Sequence, residues 1–305
     1  MPVRTSGDLA RFRTRVEALV HHHPVVVDNA YTRWFATGAA ERGDVRHLTV
    51  QFSVFSHQFV EAQLRKVLNA ADLDSYRSGK EILMNELGVV FKPSHGGGAP
   101  ARGAAVSPEE AIDPEIVSTE GTVDGGRFRF TAAHFEWLLR FGAPIGLGFD
   151  DMGKRRHGTP ATLFFCDELL RIYGSEDASI AEGASYAVEH WAAAGFWKEL
   201  IAGLSAFRAR ECPELPMGFW IWHDKIEDQH AAHTADELAE AFFRPDFDEE
   251  RFLAGAAEML DGVKAFWDGL QADRLARPGG AGVSPEKIRP GGAGVSPEKI
   301  ARRVA

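Results

Sequence analysis

Apolar residues recur at intervals of three and four along most of this 305-residue chain, and this spacing constrains the fold more than any other feature. The stretch LARFRTRVEALV near the N-terminus is typical of it. An α-helix has 3.6 residues per turn, so this spacing gathers apolar side chains on one helical face. Alternation with a period of two, which marks a half-buried β-strand, is scarce. The sequence therefore predicts an all-α protein.

The periodic segments predict seven or eight helices. Thr5 and Asp8 offer side-chain caps for the first of them. The others are expected over 44–70, 75–88, 130–142, 159–173, 177–206, 215–243 and 248–272. Since 45% of the residues are hydrophobic, the chain can bury a sizeable core. We expect one compact helical bundle over 1–272.

Two segments lack a periodic apolar face. Residues 88–128 are rich in Gly, Pro, Ala and Ser, which predicts a long loop that is either functional, as a lid, or disordered. Near the C-terminus, the 12-residue sequence RPGGAGVSPEKI occupies 277–288 and is repeated at 289–300. Two copies are too few for a solenoid, and their composition cannot bury a core. We therefore predict that 273–305 form a flexible tail.

Charge and cysteine content restrict the setting and the partners. The net charge of −10 is spread along the chain without a basic stripe, which argues against nucleic acid as a partner. Six charged side chains among the first twenty residues leave no room for a secretory signal, and no apolar run reaches membrane-spanning length. Cys166 and Cys212 are far apart and form no CxxC pair. We expect a cytoplasmic protein without a membrane or nucleic-acid partner.

The strongest chemical signal is the segment FWIWHDKIEDQHAAH, in which His223, Glu227 and His230 stand at i, i+4 and i+7. On a helix these positions lie within about 60° of one another. Two imidazoles and a carboxylate on one face suit a first-row metal such as iron or manganese. The neighbouring aromatic residues indicate a buried helix, where a charged group needs a partner or a metal. From this segment alone, a polar stripe facing water and extended by His233 explains the pattern equally well.

A second candidate is Glu189, within the segment EGASYAVEHWAAAG. The adjacent His190 points about 100° away, so the two cannot comfortably face one centre, and Glu189 is the predicted ligand. Glu182 and Tyr186 share its stripe and could support a ligand from behind. The alternative for Glu189 is an exposed carboxylate on a helix surface.

Glu86 and His134 are weaker candidates when taken singly. Glu86 closes a predicted helix just before Gly88, and His134 lies at the start of the helix after the long loop. An isolated histidine near a helix start is more often a capping or core residue than a metal ligand.

The order of these motifs resembles the haem-oxygenase-like diiron oxidase family, within the superfamily that also contains thiaminase-like proteins and quinone-cofactor synthases. The resemblance runs over about residues 45–245 through NELG, HFEWLLRFGAPIGLG, ASYAVEHW and FWIWHDKIEDQHAAHTADEL. It implies a haem-oxygenase-like helical fold and two Fe(II) ions. The ligands it implies are Glu86, His134, Glu189, His223, Glu227 and His230.

The chain departs from the family pattern at two places. The insert between Glu86 and His134 is much longer than expected, and it contains His95, the obvious rival to His134. The final carboxylate is Glu227 where relatives often have aspartate, which changes the reach by one methylene but not the type of ligand.

The resemblance implies a non-haem diiron oxidase or oxygenase that activates dioxygen. Its substrate would be a small amino-acid-like or fatty-acid-like molecule of specialised metabolism, which is desaturated, N-oxygenated or cleaved at a carbon–carbon bond. The expected partners are this substrate and dioxygen, with a homodimer as an open alternative for the assembly.

Other functions compete with the oxidase. A thiaminase-like hydrolase would use a cysteine nucleophile such as Cys166, and a haem oxygenase would use an early histidine, either His47 or His57. A cofactorless oxidase and a non-catalytic helical binding protein are further alternatives. A ferritin-like diiron protein needs two ExxH pairs, whereas only Glu227 and His230 form one. No HExxH occurs, which disfavours a zinc protease.

Overall fold

The structure of the chain is a computed structural model that describes residues 4–93, 120–123, 126–130 and 132–277. Within these ranges, side chains are described except at 90–93, 120–123, 126–130 and 226–233. Eleven α-helices lie in the described part: α1 Ser6–His21, α2 Pro24–Val27, α3 Ala30–Ala36, α4 Arg42–Leu68, α5 Leu73–Glu86, α6 His134–Gly142, α7 Pro160–Glu168, α8 Ala178–Ala192, α9 Phe196–Glu211, α10 Gly218–Ala241 and α11 Glu249–Ala276.

The predicted helical fold class is confirmed, with one small sheet as the exception among the described residues, and the local signals act as expected. Thr5 caps α1 through a reciprocal capping box with Asp8. Short 3₁₀ turns at Ala143–Ile145, Phe149–Asp151 and Arg155–His157 connect α6 to α7. Helix α7 continues directly into a π-helical turn at Leu169–Tyr173, a feature often found beside functional sites.

The helix boundaries differ from the prediction in three regions. Helix α11 continues to Ala276, past the predicted end at 272 and into the segment predicted as a flexible tail. The segment 177–206, predicted as one helix, is divided between α8 and α9. Gly195 has φ +98°, in the left-handed region that favours glycine, and it ends the continuous helical path between them. The short helices α2 and α3 were not predicted, because neither is long enough to show a periodic apolar face.

The prediction of a loop over 88–128 is wrong at both ends of that segment. Three short strands, β1 Val89–Pro93, β2 Glu120–Val123 and β3 Gly126–Phe130, form an antiparallel sheet in the order β1-β3-β2. Val89 pairs with Phe130, so the end of α5 is brought next to the start of α6. Residues 94–119, which include His95, lie outside the described residues.

The core is aromatic and runs the length of the bundle. Helix α4 passes through it, and Phe52 packs edge-on against Trp220 with ring centroids 5.0 Å apart. Helices α8 and α11 pack at very close range, because Gly183 faces the carbonyl of Phe252 and Gly255 faces the carbonyl of Ile180. No helix in the described part of the chain is both long enough and apolar enough to cross a membrane.

Candidate metal centre

A cavity of about 110 Å³ lies among helices α4 to α10. Its wall is mainly apolar, with Phe52, Phe55, Phe59, Ile82, Phe165, Leu169, Val188, Trp191, Ala192, Trp197 and Phe219. Against this wall stand Ser56 and four titratable side chains: Glu86, His134, Glu189 and His223. Four of the six predicted metal ligands therefore line one cavity, although they come from four different helices.

Glu86 and His134 form a buried pair in this wall. Oε2 of Glu86 lies 3.0 Å from Nδ1 of His134, and their side chains are only 14% and 10% exposed. Glu86 is the last residue of α5 and His134 the first of α6, three and four residues from the paired Val89 and Phe130. The small sheet thus brings the two residues together despite the long insert between them.

The tautomer of His223 is set by its own helix. Its Nδ1–H donates to the carbonyl oxygen of Phe219 at 2.7 Å, which places the lone pair of the neutral ring on Nε2. Histidines that bind metals commonly make a hydrogen bond of this kind through their other nitrogen. The ring stacks against Trp197 at 4.9 Å, and its centroid lies 5.0 Å from that of His134.

The neighbours Glu189 and His190 face different surroundings, as predicted. Glu189 lines the cavity, whereas the His190 ring stacks on Tyr186 at 3.7 Å and burial lowers its pKa. The ring of Tyr186 thus packs against His190. Glu182 forms an ion pair, in which Nη2 of Arg244 lies 2.7 Å from one carboxylate oxygen. Neither Glu182 nor Tyr186 is among the described residues that line the cavity, and their support of a ligand from behind stays a prediction.

Glu227 and His230 belong to α10, the helix that carries His223, as the spacing predicts. Their side chains and that of His233 lie outside the described set. Among the described residues, no three His, Cys, Asp or Glu side chains converge closely enough to hold a metal ion. The described donors are two imidazoles and two carboxylates around one apolar cavity, and these donor types fit iron or manganese.

The residues that would serve the competing chemistries are engaged elsewhere. Cys166 is fully buried and burial raises the pKa of its thiol to about 12, so it is poorly suited to supply a thiolate nucleophile. Nε2 of His47 lies 2.9 Å from Oδ2 of Asp273, and His57 packs on the ring of Phe135 at 4.2 Å. None of Cys166, His47 and His57 is among the residues that line the cavity.

Comparison with solved structures identifies the fold. A domain of unknown function with a heme oxygenase-like fold from Shewanella denitrificans OS217 superposes with a TM-score of 0.58 at 15% identity, covering 91% of this chain and 98% of that one. The fold is haem-oxygenase-like. A TenA homolog from Pseudomonas syringae pv. tomato DC3000 superposes with a TM-score of 0.57 at 10% identity, covering 87% and 92% of the two chains. The sequence matches no protein-family profile and no curated protein.

Part of the cavity wall was not identified from the sequence. Phe52, Phe55 and Phe59 of α4 line the cavity, although none of the predicted metal ligands lies on this helix. Their spacing of three and four residues places them on one helical face, which was a usable signal. What the sequence lacks is any indication that this face of α4 meets the helices carrying the ligands.

Proposed function

We propose that this chain is a non-haem, iron-dependent oxidase or oxygenase that uses dioxygen on a small organic substrate. The observation that carries the proposal is the placement of Glu86, His134, Glu189 and His223 around one largely apolar cavity. Burying carboxylates and imidazoles in such a wall is costly unless they are paired or bind a metal. The order of the sequence motifs supports a diiron site, with Glu227 and His230 completing the ligand set.

Each residue of the cavity then has a distinct part. Glu86 and Glu189 would offer anionic oxygen ligands, while His134 and His223 hold a metal without adding charge. The bond from His223 to the Phe219 carbonyl orients its ring. Iron held by these residues would supply the activation of dioxygen.

The aromatic wall limits both water and substrate. The cavity volume of about 110 Å³ favours a compact reacting group. Phe52, Phe55 and Phe165 line this space with apolar surface, which would limit the access of bulk water to the reacting atoms.

A TenA-like hydrolase is compatible with the same fold. The burial of both cysteines argues against a hydrolase that uses a thiolate nucleophile. Cys166 and Cys212 are both buried, and burial raises the pKa of each thiol. Neither is among the described residues that line the cavity. The donor-lined cavity therefore favours metal-dependent oxidation over cysteine-based hydrolysis.

The decisive experiment measures iron bound per chain after anaerobic loading with Fe(II). We expect His223→Ala and Glu189→Ala to lower the iron content while far-UV circular dichroism stays unchanged, because each removes one ligand from the cavity. His190→Ala is the matched control and should retain iron, since its ring faces Tyr186.

The loaded protein should also consume dioxygen when it is mixed with amino-acid-like or fatty-acid-like compounds. Full iron content in His223→Ala would contradict the proposed ligand set. Absence of iron from the unsubstituted protein would favour the hydrolase or the non-catalytic binding protein.

A further inference from the structure

A row of oxidisable aromatic rings leads from the cavity to the protein surface. Trp191 of α8 lines the cavity, and its ring centroid lies 6.4 Å from that of Trp267 in α11. Between ring centroids, Trp267 lies 5.8 Å from Tyr31 of α3, and Tyr31 lies 5.5 Å from Trp34. Rings at such separations are in packing contact, so no gap interrupts the sequence of rings. We call these four residues the aromatic row.

The inner end of the aromatic row adjoins the proposed metal ligands. Trp191 shares the cavity wall with His223. Phe196 stacks on Trp191 at 4.5 Å and lies 4.5 Å from Trp197. The ring of Trp197 in turn stacks on His223. An oxidant formed in the cavity would therefore meet a tryptophan in the cavity wall.

The residue types of the aromatic row set it apart from the surrounding core. Phenylalanine is the commonest aromatic residue of the chain, with 21 copies against seven tryptophans and four tyrosines. All three residue types bury a large apolar surface, so packing alone does not require tryptophan or tyrosine. The rings of tryptophan and tyrosine, however, give up an electron far more readily than a phenylalanine ring does. The aromatic row is therefore a path along which an electron can pass, which a row of phenylalanines would not be.

The inner tryptophans retain their protons. Trp191 and Trp267 are 4% and 2% exposed, and neither indole N–H has an acceptor in the described part of the chain. An oxidised indole without an acceptor keeps its proton and stays strongly oxidising, so the electron vacancy passes on to the next ring. Four other buried tryptophans also lack an acceptor: Trp137, Trp197, Trp220 and Trp222. The aromatic row is distinguished by its continuation to the surface.

The outer end of the aromatic row can release a proton. Trp34 is partly exposed, so an oxidised indole there can lose its Nε1 proton to water and become a neutral radical. The guanidinium of Arg274, 4.3 Å from the ring centroid, opposes the loss of an electron. The carboxylates of Asp44 and Asp273 also act on this end of the row, and their charges oppose that effect. Proton release to water makes Trp34 the place where the electron vacancy comes to rest.

We propose that the aromatic row removes oxidising equivalents from the cavity when dioxygen is activated but no substrate is oxidised. Trp191 gives one electron to the oxidant in the cavity and regains one from Trp267, which regains one from Trp34 through Tyr31. Trp34 thus loses one electron and, to water, one proton. A soluble one-electron donor such as ascorbate then returns the electron, and water returns the proton. The source of the oxidant rests on the proposed oxidase activity, whereas the route itself does not.

The experiment creates an electron vacancy at the inner end of the aromatic row, in the full chain without iron. A ruthenium photosensitiser is attached through Ala194→Cys, because Ala194 is exposed and lies three residues beyond Trp191. Both natural cysteines are buried, so the label attaches to the introduced thiol. Flash excitation with an oxidative quencher makes the photosensitiser take an electron from the protein. We expect the stable oxidation products, located by mass spectrometry of peptides, to be concentrated at Trp34.

Trp267→Phe should remove most of the product at Trp34, because phenylalanine does not carry the electron vacancy. Trp220→Phe is the matched control, since Trp220 is buried to a similar degree but lies outside the aromatic row. It should leave the product at Trp34 unchanged. Tyr31→Phe removes only a hydroxyl group and so preserves the packing, and it should also lower the product at Trp34.

Undiminished oxidation of Trp34 in Trp267→Phe or in Tyr31→Phe would overturn the proposal. An equal loss in Trp220→Phe, or products confined to Trp191 in the intact row, would overturn it as well. Exposure of the iron-loaded protein to dioxygen without substrate tests the oxidase proposal separately. Oxidation of Trp34 by the photosensitiser but not by the iron-loaded protein would contradict the oxidase activity and uphold the route.

Discussion

His47 is an individual residue whose environment makes the stability of the fold depend on pH. Burial lowers the pKa of His47, and the positive charge of Arg277 lowers it further, although Asp273 acts in the opposite direction. The unfolded chain, in which a histidine titrates near its ordinary value of about 6.5, therefore binds a proton more readily than the folded chain. It follows that stability falls as the pH drops below about 6.5 toward the lower pKa of the folded state.

We predict that His47→Gln reduces this loss of stability in acid, because glutamine does not titrate and its amide can still donate to Asp273. The measurement is the free energy of unfolding in urea at pH 7.5 and pH 5.5. His22→Gln serves as the control, since His22 is exposed and should leave the pH dependence as it is. An unchanged difference between the two pH values in His47→Gln would show that other groups cause the acid sensitivity.

At this scale the sequence predicted which face a residue belongs to, but not always its partner. The choice of Glu189 over His190 followed from helical geometry, and the structure places only Glu189 on the cavity wall. Glu182 shares the stripe of Glu189 but pairs with Arg244, which is 62 positions away in the chain. Periodicity within one helix contains no information about such a distant side chain.

At the scale of the elements, the close packing of α8 against α11 depends on two glycines. A Cβ atom at Gly183 of α8 would lie 2.0 Å from the carbonyl oxygen of Phe252 in α11, and one at Gly255 would lie 2.3 Å from that of Ile180. Main-chain atoms cannot move aside as a flexible side chain can. The close approach of α8 and α11 therefore requires that both positions lack a side chain.

We predict that Gly183→Ala lowers the free energy of unfolding by about 2 kcal/mol, because the added methyl group forces α8 and α11 apart. Urea denaturation measures the change. Gly43→Ala is the matched control, since a Cβ atom at Gly43 of α4 meets nothing within 4 Å and alanine favours the helix. Equal stability of Gly183→Ala and the unsubstituted protein would mean that the two helices can separate without cost.

The elements themselves were predictable where they are long and amphipathic. The segment predicted at 44–70 is α4, Arg42–Leu68, and that predicted at 215–243 is α10, Gly218–Ala241. The sheet could not be predicted in this way, because its strands are four or five residues long and β1 pairs with β3 across a long insert. This unpredicted sheet is the part of the fold that joins Glu86 to His134.

For the molecule as a whole, the C-terminal end of α11 attaches to the N-terminal half of the chain. The helix continues to Ala276, four residues past the boundary predicted at 272. Asp273 pairs with His47, and the guanidinium of Arg274 lies 4.3 Å from the ring centroid of Trp34. Two residues of α11 thus contact two earlier helices, α3 and α4. The boundary at 272 was predicted from the Gly/Pro-rich composition that follows it. Composition gives no information about the tertiary contacts of the residues just before that segment.

Two truncations test where the folded unit ends. Deletion of 278–305 should leave the free energy of unfolding and the iron content unchanged, because this Gly/Pro-rich sequence cannot bury a core. Deletion of 273–305 should lower the free energy of unfolding by on the order of 2 kcal/mol. The longer deletion also removes the contacts of Asp273 and Arg274, together with the bond of 2.8 Å from Arg277 to Asp44.

Urea denaturation compares both forms with the full chain. Equal stability of the two truncated forms would place the end of the folded unit at 272, and a loss of stability already in the shorter deletion would show that the repeats contribute to the fold.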